Sequence, residues 1–169
     1  MNTGVIRQFE SRAAMRFEFL ADRPEARELV AHWYYEEWGR WNPTSSIEGI
    51  SKKLLLSMNR DKVPLIVLAI DRDDVVGAAE LKYREMDVYP DKEHWLGGLF
   101  VAPKYRGAAV GEQLIHKILS ISSRLGIKKI HLQTERLDGG IYTRLGWKPL
   151  EQIGNKGVKV LVMERDVDV

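Results

Sequence analysis

The stretch of this 169-residue chain whose residue types most suggest chemistry is Arg106-Gly107-Ala108-Ala109-Val110-Gly111. Small residues at the head of a helix make an anion cradle. The first turn offers unpaired N–H groups and the positive end of the helix dipole. Small side chains let those amides approach a pyrophosphate, and Arg106 stands beside them as a cation. Two familiar nucleotide loops do not fit. No Gly-Lys-Ser/Thr closes the segment, as a P-loop requires, and no Gly-x-Gly-x-x-Gly is formed, as a dinucleotide fold requires. A second group is Trp33-Tyr34-Tyr35-Glu36-Glu37-Trp38-Gly39-Arg40-Trp41. At helical spacing Trp33 shares a face with Glu37, and Tyr34 with Trp38. Aromatic rings with carboxylates, Glu37 and Trp38 above all, suit a cationic amine. The same rings would equally serve to pack a helix on a sheet. His116 and His131 lack metal-ligand spacing to any partner and read as structural, so no metal is expected. Cysteine is absent, which excludes a disulfide scaffold, a thiolate zinc site and a thioester formed on the protein.

The elements that must position these groups follow from periodicity and punctuation. Met15 to Leu20 alternates and reads as a strand. Pro24 opens a helix of about 15 residues through Leu29, Val30, Trp33 and Tyr34, which Asn42-Pro43 breaks. Ser45 with Glu48 has the spacing of a capping box for a second helix through Ile47, Ile50, Leu54 and Met58. Strands near 64–71 and 75–86 are joined by the polar turn Asp71-Arg72-Asp73-Asp74. A further strand spans 94–101, and Gly97-Gly98 within it marks a bulge or a close approach by a ligand. From Gly107 a helix runs through Val110, Leu114, Ile118, Ile121 and Leu125 to Gly126 at its C′ position. A strand over 128–134, a short helix over 139–145 and strands near 147–153 and 158–165 complete the order β-α-α-β-β-β-α-β-α-β-β, an α/β fold with a mixed sheet. One domain over residues 14–169 is expected, with residues 1–13 as an extension. The first twelve residues have no apolar segment of the signal-peptide kind.

Charge divides the chain. Residues 1–103 hold 14 basic and 17 acidic side chains, and residues 104–165 hold 12 basic and 5 acidic. The acidic part suits a cationic ligand and the basic part an anionic one. The basic residues are scattered singly and form no nucleic-acid reader motif. No apolar run approaches the length of a membrane span. A cytoplasmic protein, monomeric or homodimeric, with no nucleic-acid or membrane partner is expected.

Trp95-Leu96-Gly97-Gly98-Leu99-Phe100-Val101-Ala102-Pro103-Lys104-Tyr105-Arg106-Gly107-Ala108-Ala109-Val110-Gly111 resembles the coenzyme-A-binding motif of the GNAT N-acetyltransferases. Ile141-Tyr142-Thr143-Arg144-Leu145-Gly146-Trp147 resembles a second motif of that family, and the element order matches its fold over nearly the whole chain. The resemblance implies a mixed sheet of six to seven strands with about four helices. It also implies an acetyl-CoA co-substrate and a small-molecule or peptide amine as acceptor. Two positions depart from the family pattern. Ala109 stands where a glycine is usual; placed inside a helical first turn it is expected to cost nothing in conformation, while its methyl intrudes on the cradle. Glu135 stands where many members have an asparagine that contacts the cofactor arm.

What the resemblance implies for chemistry can be set out residue by residue. Backbone amides at Leu99, Phe100 and Val101 would hold the pantetheine arm and polarise the thioester carbonyl. Arg106, Gly107, Ala108, Ala109, Val110 and Gly111 would hold the pyrophosphate. Tyr142 would act as general acid toward the departing thiolate, where the residue alone would equally suit a core position. Glu80, Glu93 and His94, on or next to central strands, could relay the amine's proton, or face solvent. Without cysteine, direct attack in a ternary complex is the natural route. A non-catalytic acyl-CoA sensor and a transferase for bulkier acyl groups are the alternatives.

Overall fold

The apolar run Leu65 to Ile70 is buried along its whole length, as a strand covered on both faces requires. In the computed structural model, which describes residues 15–168, this run is β2 (Leu65–Asp71). The expected extension over residues 1–13 lies outside the described residues. The other strands are β1 (Met15–Phe19), β3 (Asp74–Tyr83), β4 (His94–Val101), β5 (Lys129–Thr134), β6 (Lys148–Asn155) and β7 (Val158–Asp166). They form one seven-stranded sheet in the order β1-β2-β3-β4-β5-β7-β6. Every neighbouring pair is antiparallel except β4 with β5.

Four α-helices cover the sheet among the described residues: α1 (Arg27–Glu37), α2 (Ile47–Leu54), α3 (Val110–Arg124) and α4 (Gly140–Arg144). The element order is the one the sequence predicts. Alternation along β2 and β3 divides the core in two. Leu65, Val67, Ala79 and Leu81 meet the α3 stripe Val110, Leu114, Ile118 and Ile121, with Ile141 and Tyr142 of α4 and Leu145 just after it packed against the same cluster. Ile66, Leu68, Ile70 and Ala78 meet Val30, Ala31 and Tyr34 of α1 and Leu54 of α2. Among the described residues no helix is long and apolar enough to cross a membrane.

The polar punctuation departs from expectation in three places. The first is α1, which spans Arg27–Glu37 after a 3-10 turn at Pro24 and ends before Asn42-Pro43 rather than at it. Gly126, at φ 76°, closes α3 as expected. Ile127 N–H donates to the Ser122 carbonyl and Gly126 N–H to that of Ser123, the paired bonds of a Schellman motif. The cap of α2, however, is Ser46 rather than Ser45: its Oγ accepts from Gly49 N–H at 2.9 Å from an extended backbone. Glu48 therefore falls too early to reach back as a capping-box partner. The third departure concerns α3, which begins at Val110 rather than Gly107. Residues 106–109 form a turn before it. In consequence Ala109 is not in a helical turn at all: as N-cap it adopts φ 61°, ψ 20°, the left-handed region.

The cap assignment is testable. Ser46→Ala should cost about 1 kcal/mol, lowering Tm by about 2–4 °C for a chain of this size. Ser45→Ala should leave Tm within about 1 °C, as surface changes away from such features do. Thermal unfolding of both variants checks the assignment, and the reverse order of effects would return the cap to Ser45.

Candidate active site

The parallel pair at the centre of the sheet is barely a pair. β4 and β5 register only at Trp95 opposite His131, and beyond that point no ladder joins them. The C-terminal half of β4, from Gly97 to Val101, thus borders an opening in the sheet instead of a neighbouring strand. β4 is irregular in the same place. Its ladder to β3 matches Glu80 to Gly97 and Ala78 to Phe100, so Gly98 and Leu99 share Ala79 and form a bulge. Gly98 takes φ 53°, which a residue without Cβ adopts freely.

The cradle lies where β4 leads into α3. No backbone amide from Gly107 to Glu112 donates to a described residue, so six consecutive N–H groups are available to a ligand. A Cβ added at Gly107 would meet nothing within 4 Å. Arg106 is folded back: its Nε donates to the Val101 carbonyl at 3.0 Å, and its guanidinium lies 5.5 Å from the Phe100 ring centroid. This holds the planar guanidinium at the cradle's edge. Arg144 of α4 reaches Glu112 in the first turn of α3 at 3.6 Å. That ion pair joins the end of α4 to the head of α3, while Ile141 and Tyr142 hold α4 through apolar packing on the α3 side.

Tyr142 packs edge-to-face on Trp147 at 6.1 Å on the α3 side of the sheet. Burial pushes its hydroxyl up to about 12. Glu80 lies on the opposite, α1 side and is 8% exposed. Ser57 Oγ donates to one of its oxygens at 2.8 Å. Burial raises its carboxyl above the ordinary range, against the opposing pull of Lys82 and the Ser57 hydrogen bond. Lys82 crosses over Gly97 to reach Glu85 at 3.1 Å. Burial lowers its ammonium, but Glu85 and Glu80 outweigh that effect and hold it above its usual value. Glu80, Lys82 and Glu85 therefore make a polar pit against Gly97 and the bulge.

The remaining sequence candidates take different places. His94 is the first residue of β4, in edge contact with Tyr83 at 6.1 Å. Burial lowers its pKa. Three strand residues, a span of about 13 Å, separate it from Gly98, and Glu93 is exposed just before it. Glu37 is exposed. Trp38 is 47% exposed, with its ring 5.5 Å from that of Tyr34, so it packs on the outer side of Tyr34. Trp33 stacks on Phe100 at 4.9 Å, a packing role. Glu135 is exposed beyond the end of β5. Sequence reasoning missed Tyr34 as a site residue, along with Ser57, Lys82, Glu85 and Arg144. Tyr34 Oη donates to the Gly98 carbonyl at 2.7 Å, a contact between residues 64 positions apart that no local pattern announces.

Residues 23–147 match the model of the acetyltransferase (GNAT) family. The chain belongs to that family. Its fold is shared with solved structures of low sequence identity. An aminoglycoside 6'-acetyltransferase of type Ii is 19% identical, with a TM-score of 0.69 over 91% of this chain and 98% of the other. An aminoglycoside 6'-N-acetyltransferase in complex with coenzyme A is 16% identical, with a TM-score of 0.69 over 91% and 98%. Ard1 from Thermoplasma volcanium is 15% identical, with a TM-score of 0.69 over 92% and 99%. No curated protein sequence matches the chain significantly.

In this GNAT chain the Ala109 departure has a conformational cost, contrary to expectation. The left-handed region costs an L-residue roughly 1–2 kcal/mol, offset by about 0.5–1 kcal/mol of extra chain entropy that glycine would lose on folding. Ala109→Gly should stabilise the protein by up to about 1 kcal/mol, read as a higher midpoint in urea at unchanged m. A lower midpoint would place Ala109 outside the left-handed region.

Proposed function

We propose that this GNAT enzyme is an acetyl-CoA-dependent N-acetyltransferase that acetylates a primary amine by direct attack in a ternary complex. The observation that carries this reading is the juxtaposition of six free amides at the head of α3 with the open, bulged half of β4. An extended donor can lay its pyrophosphate on the amides of Gly107 to Gly111, beside Arg106, and run its arm along Leu99, Phe100 and Val101. The fold neighbour in complex with coenzyme A and the family membership support that donor.

The amine would enter from the α1 side, where Trp38 packs beside Tyr34 and the carboxyl of Glu80 lies near the Lys82–Glu85 ion pair. An ammonium loses one proton to the free oxygen of Glu80, whose raised pKa makes it a better base than a solvated carboxylate. The amine nitrogen then attacks the thioester carbon. Charge on the carbonyl oxygen is met by β4 amides, the C–S bond breaks, and the nitrogen's second proton is lost as the amide forms.

Tyr142 faces the departing sulfur from the other side of the sheet. With its hydroxyl near 12 and a thiol near 8.5, completed proton transfer from tyrosine to thiolate is uphill by roughly 5 kcal/mol. Its service is a hydrogen bond that strengthens as charge gathers on sulfur, with solvent supplying the final proton. Tyr142→Phe should therefore lower kcat by about 10²-fold, the lower end of the range for acid catalysis, with acetyl-CoA affinity little changed. The defect should shrink with donors whose leaving thiol is more acidic. Unchanged kcat with a lower Tm would make Tyr142 a packing residue.

The pH profile tests the base. Glu80 acts ionised, so the rate rises with pH through its apparent pKa, and burial places that limb above the ordinary carboxylate range. Glu80→Gln should abolish this limb and leave the ionisation of the amine itself, at higher pH, in place. Tyr142 stays protonated throughout, so no falling limb is expected below about pH 10. The founding experiment is a panel of amines with acetyl-CoA, read by thiol release. Tight binding of acetyl-CoA without turnover of any amine would favour a sensor.

A further inference from the structure

The peptide joining Gly98 to Leu99 is gripped from the α1 side by one side chain. Tyr34 is 8% exposed, and its hydroxyl donates to the Gly98 carbonyl at 2.7 Å. Its ring tip fills the space where a side chain at position 98 would sit: a Cβ there would overlap the hydroxyl. Bulge, positive φ and tyrosine thus interlock, and no other residue type at position 98 would admit all three. Burial holds the hydroxyl well above its ordinary pKa, with the charge of Glu80 adding to the effect, so it remains a donor at every working pH.

In a trans peptide the C=O and the following N–H point in opposite directions. A Gly98 carbonyl pulled toward α1 turns the Leu99 N–H away from α1. A carbonyl that accepts a hydrogen bond also polarises its own peptide, which makes that N–H a stronger donor. We propose that Tyr34 is a positioning residue for acetyl transfer: its hydroxyl orients and polarises the Gly98–Leu99 peptide so that the Leu99 amide meets the thioester carbonyl oxygen. This rests on the reading of the β4 opening as the acyl-CoA site. A plain tether of α1 to the sheet would make the same 2.7 Å contact without touching the carbonyl's electronics, and the two roles separate by spectroscopy.

The test needs no acceptor. Acetyl-CoA labelled with carbon-13 at the thioester carbonyl is bound to wild type and to Tyr34→Phe, and the carbonyl stretch is read by isotope-edited infrared difference. In wild type the bound carbonyl should absorb below free acetyl-CoA, and in Tyr34→Phe it should move back toward the free value. The dissociation constant, measured by calorimetry, should stay within about threefold, the smallest loss one neutral hydrogen bond brings. With an acceptor from the amine panel, kcat should fall about tenfold, with KM for acetyl-CoA nearly constant. A variant that binds acetyl-CoA with the wild-type frequency overturns the role of Tyr34 and leaves the site assignment standing. A wild type that does not bind acetyl-CoA overturns the site assignment and this proposal with it. Incorporation of 3,5-difluorotyrosine at position 34 keeps ring and hydroxyl and makes the donor more acidic. It should shift the carbonyl stretch further from the free value, and no shift would count against the proposal as firmly as the phenylalanine result.

Discussion

Everything at the proposed site depends on one interruption: the sheet fails to close between β4 and β5. Backbone polar groups in a protein interior are almost always paired, and a central strand normally pairs along both edges. Here the register ends after Trp95 and His131. The sheet is kept whole around the interruption by strong ladders elsewhere, β2 and β3 with β4 on one side and β7 with β5 on the other. Helices bridge the two parts. The α3 stripe packs on β2, β3 and β4 and shares one buried cluster with Ile130 and Leu132 of β5, and a surface ion pair joins Arg144 of α4 to Glu112 in the first turn of α3. The opening is thus a rigid feature, braced by a continuous core, with backbone groups along its edge for a ligand to use.

How far this was legible in the sequence varies with the range of the interaction. The order of elements, the Gly97-Gly98 irregularity and the small-residue cradle all follow from local patterns, because apolar period and glycine placement act within a few residues. The boundaries that went astray were also local, but depended on backbone angles that composition leaves open. Two adjacent serines offer two caps, and only the chain path chooses Ser46. Reading Arg106-Gly107 as a helix start made Ala109 look harmless, whereas a turn of four residues precedes α3 and leaves Ala109 at positive φ. What sequence could not reach at all is what folding brings together from afar. Ser57 caps Glu80 across 23 residues and Tyr34 holds Gly98 across 64. Glu80, Glu93 and His94 were alike as residue types near central strands. Burial, register and distance from the bulge are what make them unlike.

The sheet also separates the two protonic tasks. Alternation on β3 sends Ala79 to the α3 side and Ala78 and Glu80 to the α1 side, while α4 carries Tyr142 on the α3 side. A carboxylate suited to taking a proton and a phenol suited to meeting a thiolate therefore stand on opposite faces, with only the opening connecting them. Both pKa values are raised, and by the same cause, burial, yet the consequences are opposite. For Glu80 burial strengthens a base. For Tyr142 it weakens an acid, so that in the proposed reaction the phenol would stabilise charge on sulfur without surrendering its proton.

That arrangement constrains the order of events. In the proposed ternary complex, amine and thioester would both be bound before transfer, with the amine's proton taken on the face of Glu80 and the thiolate met on the face of Tyr142. The chain has no cysteine to carry an acyl group between them. In the proposed reaction the amine nitrogen would add to the carbonyl carbon over one face of the planar acyl group, and the C–S bond would break from the tetrahedral centre so formed. The Gly98–Leu99 peptide lies in the bulge that borders the opening. In the proposed site its orientation, held by a hydroxyl from α1, would therefore bear on the carbonyl oxygen's stabilisation more than a residue of an ordinary strand could.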